Sequence, residues 1–176
     1  MKPLFLVGYM GCGKSTIGRK LAQRIGAAFV DTDNRIEELE GAQVFDIFRY
    51  QGEGYFRKCE RMVLEELVDE EAVVVSTGGG LPTWEDNMER MNEVGETIFL
   101  RRTAENIASR LSPSGRQKRP RLRGLNDEEL VEFMRRDMAV RAPYYEQARL
   151  VIDCDALSDE EILARVVAAC CPATEQ

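Results

Sequence analysis

The segment "GYMGCGKS", from Gly8 to Ser15, carries the strongest chemical signal in the sequence. It matches G-x-x-x-x-G-K-[S/T], a pattern whose glycines let the backbone fold around phosphate groups and point its amides at them. The lysine of such a loop reaches the β- and γ-phosphates of a nucleotide, and the next hydroxyl binds Mg²⁺. An apolar run precedes the segment and a helical pattern follows it, so a glycine-rich turn without function is the less favoured alternative. The expected nucleotide contacts are Gly11, Cys12, Gly13, Lys14, Ser15 and Thr16, and Ser15 is also an expected metal ligand.

Two aspartates, Asp31 and Asp33, follow the second apolar run of the chain. If the chain is extended there, alternate side chains point to the same side, so both carboxylates face one polar site. Such a site would hold Mg²⁺ and a hydroxylated acceptor beside the phosphate loop. An aspartate that caps a helix beginning near Arg35 is the alternative, and the upstream phosphate loop favours the functional interpretation.

An arginine and a glutamate, Arg57 and Glu60, lie three residues apart in "GEGYFRKCE" at a predicted helix start. The guanidinium group offers a planar pair of donors that suits a carboxylate, and a glutamate one turn away can orient it. An ordinary surface ion pair is the alternative, and for this pair alone it is the favoured one. The segment "STGGG", Ser76 to Gly80, follows the next apolar run, and its three glycines allow a ligand to approach the backbone closely.

Short apolar runs and the helical patterns between them must position these groups. The runs predict strands that are buried on both faces, as in a parallel sheet. They are Pro3 to Val7, Ala28 to Val30, Ala72 to Val75, Thr97 to Leu100 and Leu150 to Ile152. The helical patterns are Ile17, Leu21 and Ile25; Cys59, Met62, Val63 and Leu67; Trp84, Met88 and Met91; Leu130, Phe133, Met134 and Met138; and a last helix with a capping box of Ser158 and Glu161. The alternation predicts one α/β domain over residues 1–176, with ligands beyond the carboxyl ends of the strands.

Composition and charge exclude several classes of function. The formal net charge of −7 disfavours a broad nucleic-acid surface. No apolar run approaches the roughly 20 residues that a membrane span needs. Five widely spread cysteines indicate neither a disulfide framework nor a zinc site, so we expect a cytoplasmic protein. Because the chain has no histidine, proton transfer must use carboxylates, lysine, tyrosine, cysteine or water. The guanine-reading pattern Asn/Thr-Lys-x-Asp is absent, so a compact kinase fits better than a signalling GTPase.

In the order of its motifs, the chain resembles the shikimate kinase family over roughly residues 3–155. That family combines a phosphate-binding loop, D-x-D, G-E-x-x-F-R-x-x-E, G-G-G, a lid with R-P-L-L, and R-x-P-x-Y. Nearly all of these occur here in order, with the lid at residues 112–124 and "RAPYY" from Arg141 to Tyr145. The resemblance implies a three-layer α/β/α P-loop NTPase fold with a five-stranded parallel sheet and a mobile lid. It also implies transfer of the ATP γ-phosphoryl group to the 3-hydroxyl of shikimate, in the pathway to chorismate and the aromatic amino acids.

For the acceptor, the resemblance assigns Asp33 to the hydroxyl groups and makes its carboxylate the candidate that accepts the hydroxyl proton. It assigns Arg57 and Arg141 to the acceptor carboxylate, and Gly79 to a backbone contact. Judged alone, Arg141 is a cation near a helix end, so its role rests on the resemblance.

For phosphoryl transfer, the resemblance makes Lys14, Asp33 and Arg119 the catalytic set. Arg119, in the lid, would contact the transferring phosphates, and Arg110 would stack on adenine by a looser match. Asp31 would support Mg²⁺, directly or through water. An arginine delivered by a closing lid would stabilise charge on the phosphoryl group and exclude water.

One position departs from the family pattern, and some interpretations stay open. Arg121 replaces a leucine of R-P-L-L, which leaves Arg119 in place but changes the packing of the lid. Phe48 and Phe56 would line the ring of the acceptor, although a core position suits both equally well. A sugar-acid kinase, acting for example on gluconate, and a non-catalytic nucleotide-binding module are the alternative functions. We expect a monomer that binds ATP and shikimate, and neither nucleic acid nor a membrane.

Overall fold

The computed structural model describes residues 1–111, 113–117 and 122–170. Within these residues, five strands form one parallel sheet in the order β2-β3-β1-β4-β5. The strands are Leu4–Val7 (β1), Ala28–Asp31 (β2), Val73–Ser76 (β3), Glu96–Arg101 (β4) and Leu150–Asp153 (β5). All five predicted apolar runs are therefore confirmed as strands. The expected burial on both faces is wrong for β2 and β5, because they are the edge strands of the sheet and are partly exposed. Arg119 and Arg121 lie outside the described residues, and the predicted lid is only partly inside them.

Helices occupy most of the chain between the strands. In the described residues they are Lys14–Ile25 (α1), Thr32–Glu40 (α2), Val44–Gln51 (α3), Glu53–Leu67 (α4), Asn87–Val94 (α5), Ala104–Arg110 (α6), Pro113–Gln117 (α7), Asp127–Tyr145 (α8) and Asp159–Cys170 (α9), with a 3₁₀ turn at Leu81–Thr83. The predicted capping box is confirmed, because the Ser158 amide donates to the Glu161 carboxylate at 2.8 Å and the Glu161 amide donates to Ser158 Oγ at 3.3 Å. Trp84 lies before α5, so the helix there is shorter than the pattern predicted.

The strand order determines which helices share a face of the sheet. Across the sheet, the connection from β1 to β2 runs toward one edge, and the connections to β3, β4 and β5 then run toward the other edge. Because parallel crossovers are right-handed, this reversal puts α1 on one face and the helices of the later crossovers on the other. α9 joins α1, and Lys20 contacts Asp159 between these two helices at 2.7 Å. The result is a three-layer α/β/α arrangement.

The reversal also creates the place where a ligand can bind. β1 lies between β3 and β4, and all of its residues are buried. Connections leave the neighbouring strands toward opposite faces, which opens a crevice beyond the carboxyl ends of the strands. The register pairs Ser76 of β3 with Asp31 on one side and with Leu6 on the other. The polar groups that end β2 and β3 therefore lie next to the loop that follows β1.

Among the described residues, no helix is long and apolar enough to cross a membrane.

Candidate active site

The phosphate loop leads from β1 into α1. Gly11 and Gly13 have φ angles of 78° and 104°, in the left-handed region that favours glycine. Gly13 precedes the first residue of α1 and has no side chain that could cover the amides of the first turn, so these amides can meet an anion. Lys14 is buried and folds back over the loop, where Nζ donates to the carbonyl oxygens of Gly8 at 2.8 Å and Tyr9 at 3.0 Å. The loop thus has the shape and the charge for a polyphosphate.

A hydroxyl and a carboxylate meet beside the loop. Ser15 Oγ donates to Asp31 Oδ2 at 2.7 Å and lies 3.1 Å from Ser76 Oγ. These oxygens are the hard ligands that Mg²⁺ prefers. The part of the chain that the structure describes contains no cluster of three or more acidic, cysteine or histidine side chains placed for a metal ion. This donor set therefore fits an Mg²⁺ ion that is held mainly by nucleotide phosphates and water.

The structure corrects the expected conformation around the two aspartates. Asp31 Oδ1 accepts from the amides of Asp33 at 3.2 Å and Asn34 at 3.4 Å, so it caps α2, which begins at Thr32 and not near Arg35. The prediction that Asp31 and Asp33 alternate along an extended chain is wrong, because Asp33 lies in the first turn of the helix. Asp31 is a helix cap and also the partner of Ser15, so the two interpretations of this residue do not exclude each other.

Asp33 points into the crevice with a buried oxygen. Within the described residues, Oδ1 of Asp33 is buried and has no hydrogen-bond partner. Burial raises the pKa of Asp33 to about 6, and the nearby charge of Asp31 adds to this, while Lys14 and Arg57 oppose it. A carboxyl group with such a pKa can gain and lose a proton near neutral pH, as a proton acceptor in catalysis must.

Arg57 and Glu60 form a buried pair on α4. Arg57 Nη1 donates to Glu60 Oε2 at 2.5 Å, and the residues are only 8% and 1% exposed. The alternative of an ordinary surface ion pair is therefore wrong. Burial raises the pKa of Glu60, and Arg57 opposes that shift. Glu53 accepts from Arg57 Nη2 at 3.0 Å, so two carboxylates fix the guanidinium plane at the edge of the crevice.

Three glycines after β3 allow these side chains to meet. A Cβ atom on Gly78 would lie 2.5 Å from Asp33 Oδ1 and 2.8 Å from Glu60 Oε1. A Cβ atom on Gly80 would overlap the guanidinium group of Arg57. Each of these two glycines thus makes room for a charged group, which explains the glycine run in physical terms.

Arg141 approaches the same glycines from α8. A Cβ atom on Gly79 would lie 3.4 Å from Arg141 Nη1 and 3.6 Å from the amide nitrogen of Met10 in the phosphate loop. The open cleft between these elements has a volume of about 1250 Å³. Its lining includes all four predicted acceptor contacts and both phenylalanines, namely Asp33, Arg57, Gly79, Arg141, Phe48 and Phe56. The rings of Phe48 and Phe56 are 4.5 Å apart, so they form one wall of the cleft.

Known proteins are similar to this chain in sequence. A family model described as shikimate kinase matches residues 10–171. The chain is 42% identical over 159 residues to a shikimate kinase of Bacteroides thetaiotaomicron, with 90% of each protein covered. The chain belongs to the shikimate kinase family.

Solved structures agree with this assignment. The crystal structure of a shikimate kinase from Bacteroides thetaiotaomicron superposes on this chain with a TM-score of 0.89 and 39% identity. The superposition covers 96% of this chain and 97% of that one. A shikimate kinase from Acinetobacter baumannii in complex with shikimate has a TM-score of 0.84 and 32% identity, with 96% of this chain and 92% of that one covered.

The sequence predicted two cationic contacts on the nucleotide side, Arg110 and Arg119. Arg110 is exposed at the end of α6, and it is absent from the described lining of the cleft. Its stacking on adenine stays a prediction. Arg119 lies outside the described residues, so its contact with the phosphates also stays a prediction.

Two other polar side chains support the phosphate loop and were not predicted. Ser76 completes the hydroxyl pair with Ser15. Arg102 is buried and donates to the carbonyl oxygens of Cys12 at 2.9 Å and Cys154 at 2.8 Å, which ties the loop to the end of β5. Both residues lie at the carboxyl ends of strands, where functional groups lie in this kind of fold. That position could have identified them from the sequence as candidates for the site.

Proposed function

We propose that this chain transfers the γ-phosphoryl group of ATP to the 3-hydroxyl of shikimate, giving shikimate 3-phosphate and ADP. The observation that carries the proposal is a single cleft in which Arg57 and Arg141 stand beside Asp33, next to the phosphate loop. Two arginines suit a carboxylate, and a buried carboxyl group suits a hydroxyl. Membership of the shikimate kinase family supports both the acceptor and the reaction, and the Acinetobacter relative binds shikimate.

The proposed mechanism relies on positioning and on charge. Arg57 and Arg141 hold the acceptor carboxylate, which directs the hydroxyl toward Asp33. The hydroxyl oxygen forms a bond to the γ-phosphorus, the bond from that phosphorus to the β–γ bridging oxygen breaks, and the hydroxyl proton passes to Asp33. Lys14, and Arg119 from the lid, stabilise the charge on the transferring group.

Mg²⁺ is the proposed cofactor, with Ser15 and Asp31 as the residues that would hold it. It supplies charge neutralisation on the β- and γ-phosphates when it is bound. The 2.7 Å contact between Ser15 and Asp31 supports this pair as one polar unit beside the loop.

We also propose a monomer that works in the cytoplasm, as a single domain with a lid at residues 112–124. Among the described residues, Cys12, Cys59 and Cys154 are free thiols, which supports a reducing compartment.

An ADP-release assay tests the proposed function. The purified protein with MgATP is expected to release ADP when shikimate is present and to release little with gluconate or without an acceptor. Strong turnover of gluconate with none of shikimate would replace the proposed acceptor. Normal ATP binding without any phosphorylation would instead indicate a non-catalytic nucleotide-binding module.

Replacing Gly80 by alanine is expected to raise the KM for shikimate about tenfold, because hydrogen bonds to charged groups contribute roughly 1.5–3 kcal/mol. The new Cβ would occupy the space of the Arg57 guanidinium group, which is the movable end of a long side chain. The fold should therefore survive while Arg57 leaves its position. Steady-state kinetics with shikimate and with ATP as the varied substrate measure the effect.

Gly54→Ala is the matched control for this variant. Apart from its own helix backbone and chain neighbours, no atom of the described residues lies within 4 Å of a Cβ atom on Gly54, which is an exposed residue of α4. Alanine should leave both KM values unchanged and stabilise the helix by up to about 1 kcal/mol. A Gly80→Ala protein whose KM for shikimate equals that of the Gly54→Ala protein would show that the position of Arg57 does not govern acceptor binding.

A further inference from the structure

A tyrosine of the phosphate loop reaches away from the phosphates and contacts α8. Tyr9 is 1% exposed, and its hydroxyl group donates to Asp137 Oδ2 at 2.8 Å. The two residues are 128 positions apart in sequence. This partly buried contact joins the loop that would hold the nucleotide to the helix that carries Arg141.

Asp137 uses the same oxygen to hold Arg141. Arg141 Nη2 lies 3.3 Å from Asp137 Oδ2, one helical turn away, and both side chains are only 15% exposed. The Arg141 guanidinium group also lies over the Tyr9 ring, with its central carbon 5.6 Å from the ring centroid. Three side chains from two elements therefore contact one another in pairs.

The guanidinium group of Arg141 is held from one side and faces the cleft with the other, and Tyr145 is a further partner of it. Nη2 contacts Asp137, while Nη1 faces Gly79 at the cleft. A free arginine side chain would have to give up much rotamer freedom when it binds a carboxylate. Asp137 and Tyr9 restrict that freedom before the acceptor arrives, which lowers the entropic cost of binding. The hydrogen bond from the Tyr9 hydroxyl also partly neutralises the Asp137 carboxylate, so Asp137 repels an incoming carboxylate less.

A second tyrosine, which lies on α8, fixes the backbone that Arg141 faces. The hydroxyl group of Tyr145 donates to the Gly79 carbonyl oxygen at 2.5 Å. Burial raises the pKa of Tyr145 to about 12, so this hydroxyl keeps its proton at neutral pH. The backbone that faces Arg141 is thus held by the same helix as Arg141 itself.

We propose that Tyr9 and Asp137 are positioning residues that hold Arg141 for the acceptor carboxylate. The inference rests on the proposed function. It predicts that a change in the phosphate loop, at Tyr9, weakens binding of the acceptor and leaves binding of the nucleotide almost unaffected, because the hydroxyl group points to α8 and not into the loop.

The test measures shikimate binding by calorimetry, together with both KM values, for Tyr9→Phe, Asp137→Asn and the double variant. Each single variant is expected to raise the shikimate Kd about fivefold, as the loss of one hydrogen bond does. The double variant should raise it much less than the product of the two single effects, because both substitutions break the same contact. The Kd for ATP and kcat should stay within about twofold of wild type.

Matched controls separate positioning from general damage. Tyr144→Phe removes a partly exposed tyrosine hydroxyl from the same helix, and Glu132→Gln neutralises an exposed carboxylate that pairs with Arg136 on α8. Both should leave the shikimate Kd unchanged. Thermal unfolding of all variants shows whether a loss of binding follows a loss of stability.

Three results would overturn the inference, and they are distinguishable. Wild-type protein that binds shikimate, with Tyr9→Phe and Asp137→Asn binding it equally well, overturns the positioning role alone. An equal rise in the shikimate and ATP constants also overturns it, because the loop as a whole would then be disturbed. Wild-type protein that binds no shikimate overturns the proposed function, and the inference with it.

Discussion

Replacing Lys14 by alanine is expected to lower kcat about a thousandfold, the loss typical when a preorganised charge-stabilising donor is removed from an active site. The ammonium group is buried at the start of α1 and folds over the phosphate loop, where it donates to two loop carbonyl groups. Alanine removes both the cation that stabilises the transferring phosphoryl group and the hydrogen bonds that shape the loop. Single-turnover kinetics at saturating MgATP measure the effect on the chemical step.

Two comparisons make the Lys14 result specific. Lys20→Ala removes an exposed cation from the same helix, which pairs with Asp159 at 2.7 Å, and should leave kcat within about twofold of wild type because surface ion pairs contribute little. Arg57→Ala should raise the KM for shikimate while ATP binding stays normal. Near-normal turnover of Lys14→Ala would contradict the assignment of this loop as the phosphate site.

The sheet could be predicted from the sequence because parallel strands that are buried on both faces are continuously apolar. Examples are β1 and the first three residues of β3, since residues 4–7 and 73–75 are apolar and buried. The phosphate loop could be predicted for a different reason, because its chemistry requires glycines and a lysine at fixed spacing. Both predictions depend only on residues that are neighbours in the sequence.

The start of α2 could not be read from the same kind of pattern. Asp31 is the last residue of β2 and also the cap of α2, so the chain changes from strand to helix without a loop. Alternation along a strand was the wrong basis for placing Asp33, because a helix turns successive side chains by about 100°. The carboxylates nevertheless lie near one another, since the strand end determines the position of both.

Burial and long-range contacts could not be predicted from the sequence. The spacing of Arg57 and Glu60 predicted a pair but favoured an exposed one, whereas the packing of α4 against α2 and α3 buries it. The contact between Tyr9 and Asp137 spans 128 positions and exists only because the fold brings α8 next to the loop that follows β1. No local pattern contains such a contact, and only the topology of the whole domain brings its partners together.

Replacing Asp33 by asparagine is expected to lower kcat by about a hundredfold or more, because an amide cannot accept the hydroxyl proton. In the wild-type protein, kcat/KM should fall as the pH decreases through about 6, where burial places the pKa of Asp33. Asp33→Asn should lose this dependence along with most of its activity. Initial rates between pH 5 and pH 8 measure both effects.

The same substitution is expected to make the protein more stable at neutral pH. The pKa of Asp33 is raised from 3.8 to about 6 in the folded protein, so between these values the folded state binds more protons than the unfolded state. Stability therefore decreases as the pH rises through this window, and above pH 6 the ionised Asp33 carboxylate destabilises the folded protein by its full amount. At about 1.4 kcal/mol for each pKa unit, the cost has an upper limit of roughly 3 kcal/mol.

Asparagine removes this charge but keeps a polar group at a place where Oδ1 has no partner among the described residues, so only part of that energy is recovered. We expect a Tm increase of a few degrees at pH 8, shrinking toward pH 4, by calorimetry at both values. Asp86→Asn is the control, because the pKa of this carboxyl group is shifted in the opposite direction. Arg61 lowers the pKa of exposed Asp86, so loss of the Asp86 charge should not stabilise the protein at pH 8.

The two outcomes for Asp33→Asn have different meanings. A stabilised and inactive Asp33→Asn would mean that the site keeps an ionised carboxylate, which lowers the stability of the fold, because phosphoryl transfer needs it. A destabilised variant with normal kcat would contradict both the pKa and the role of Asp33.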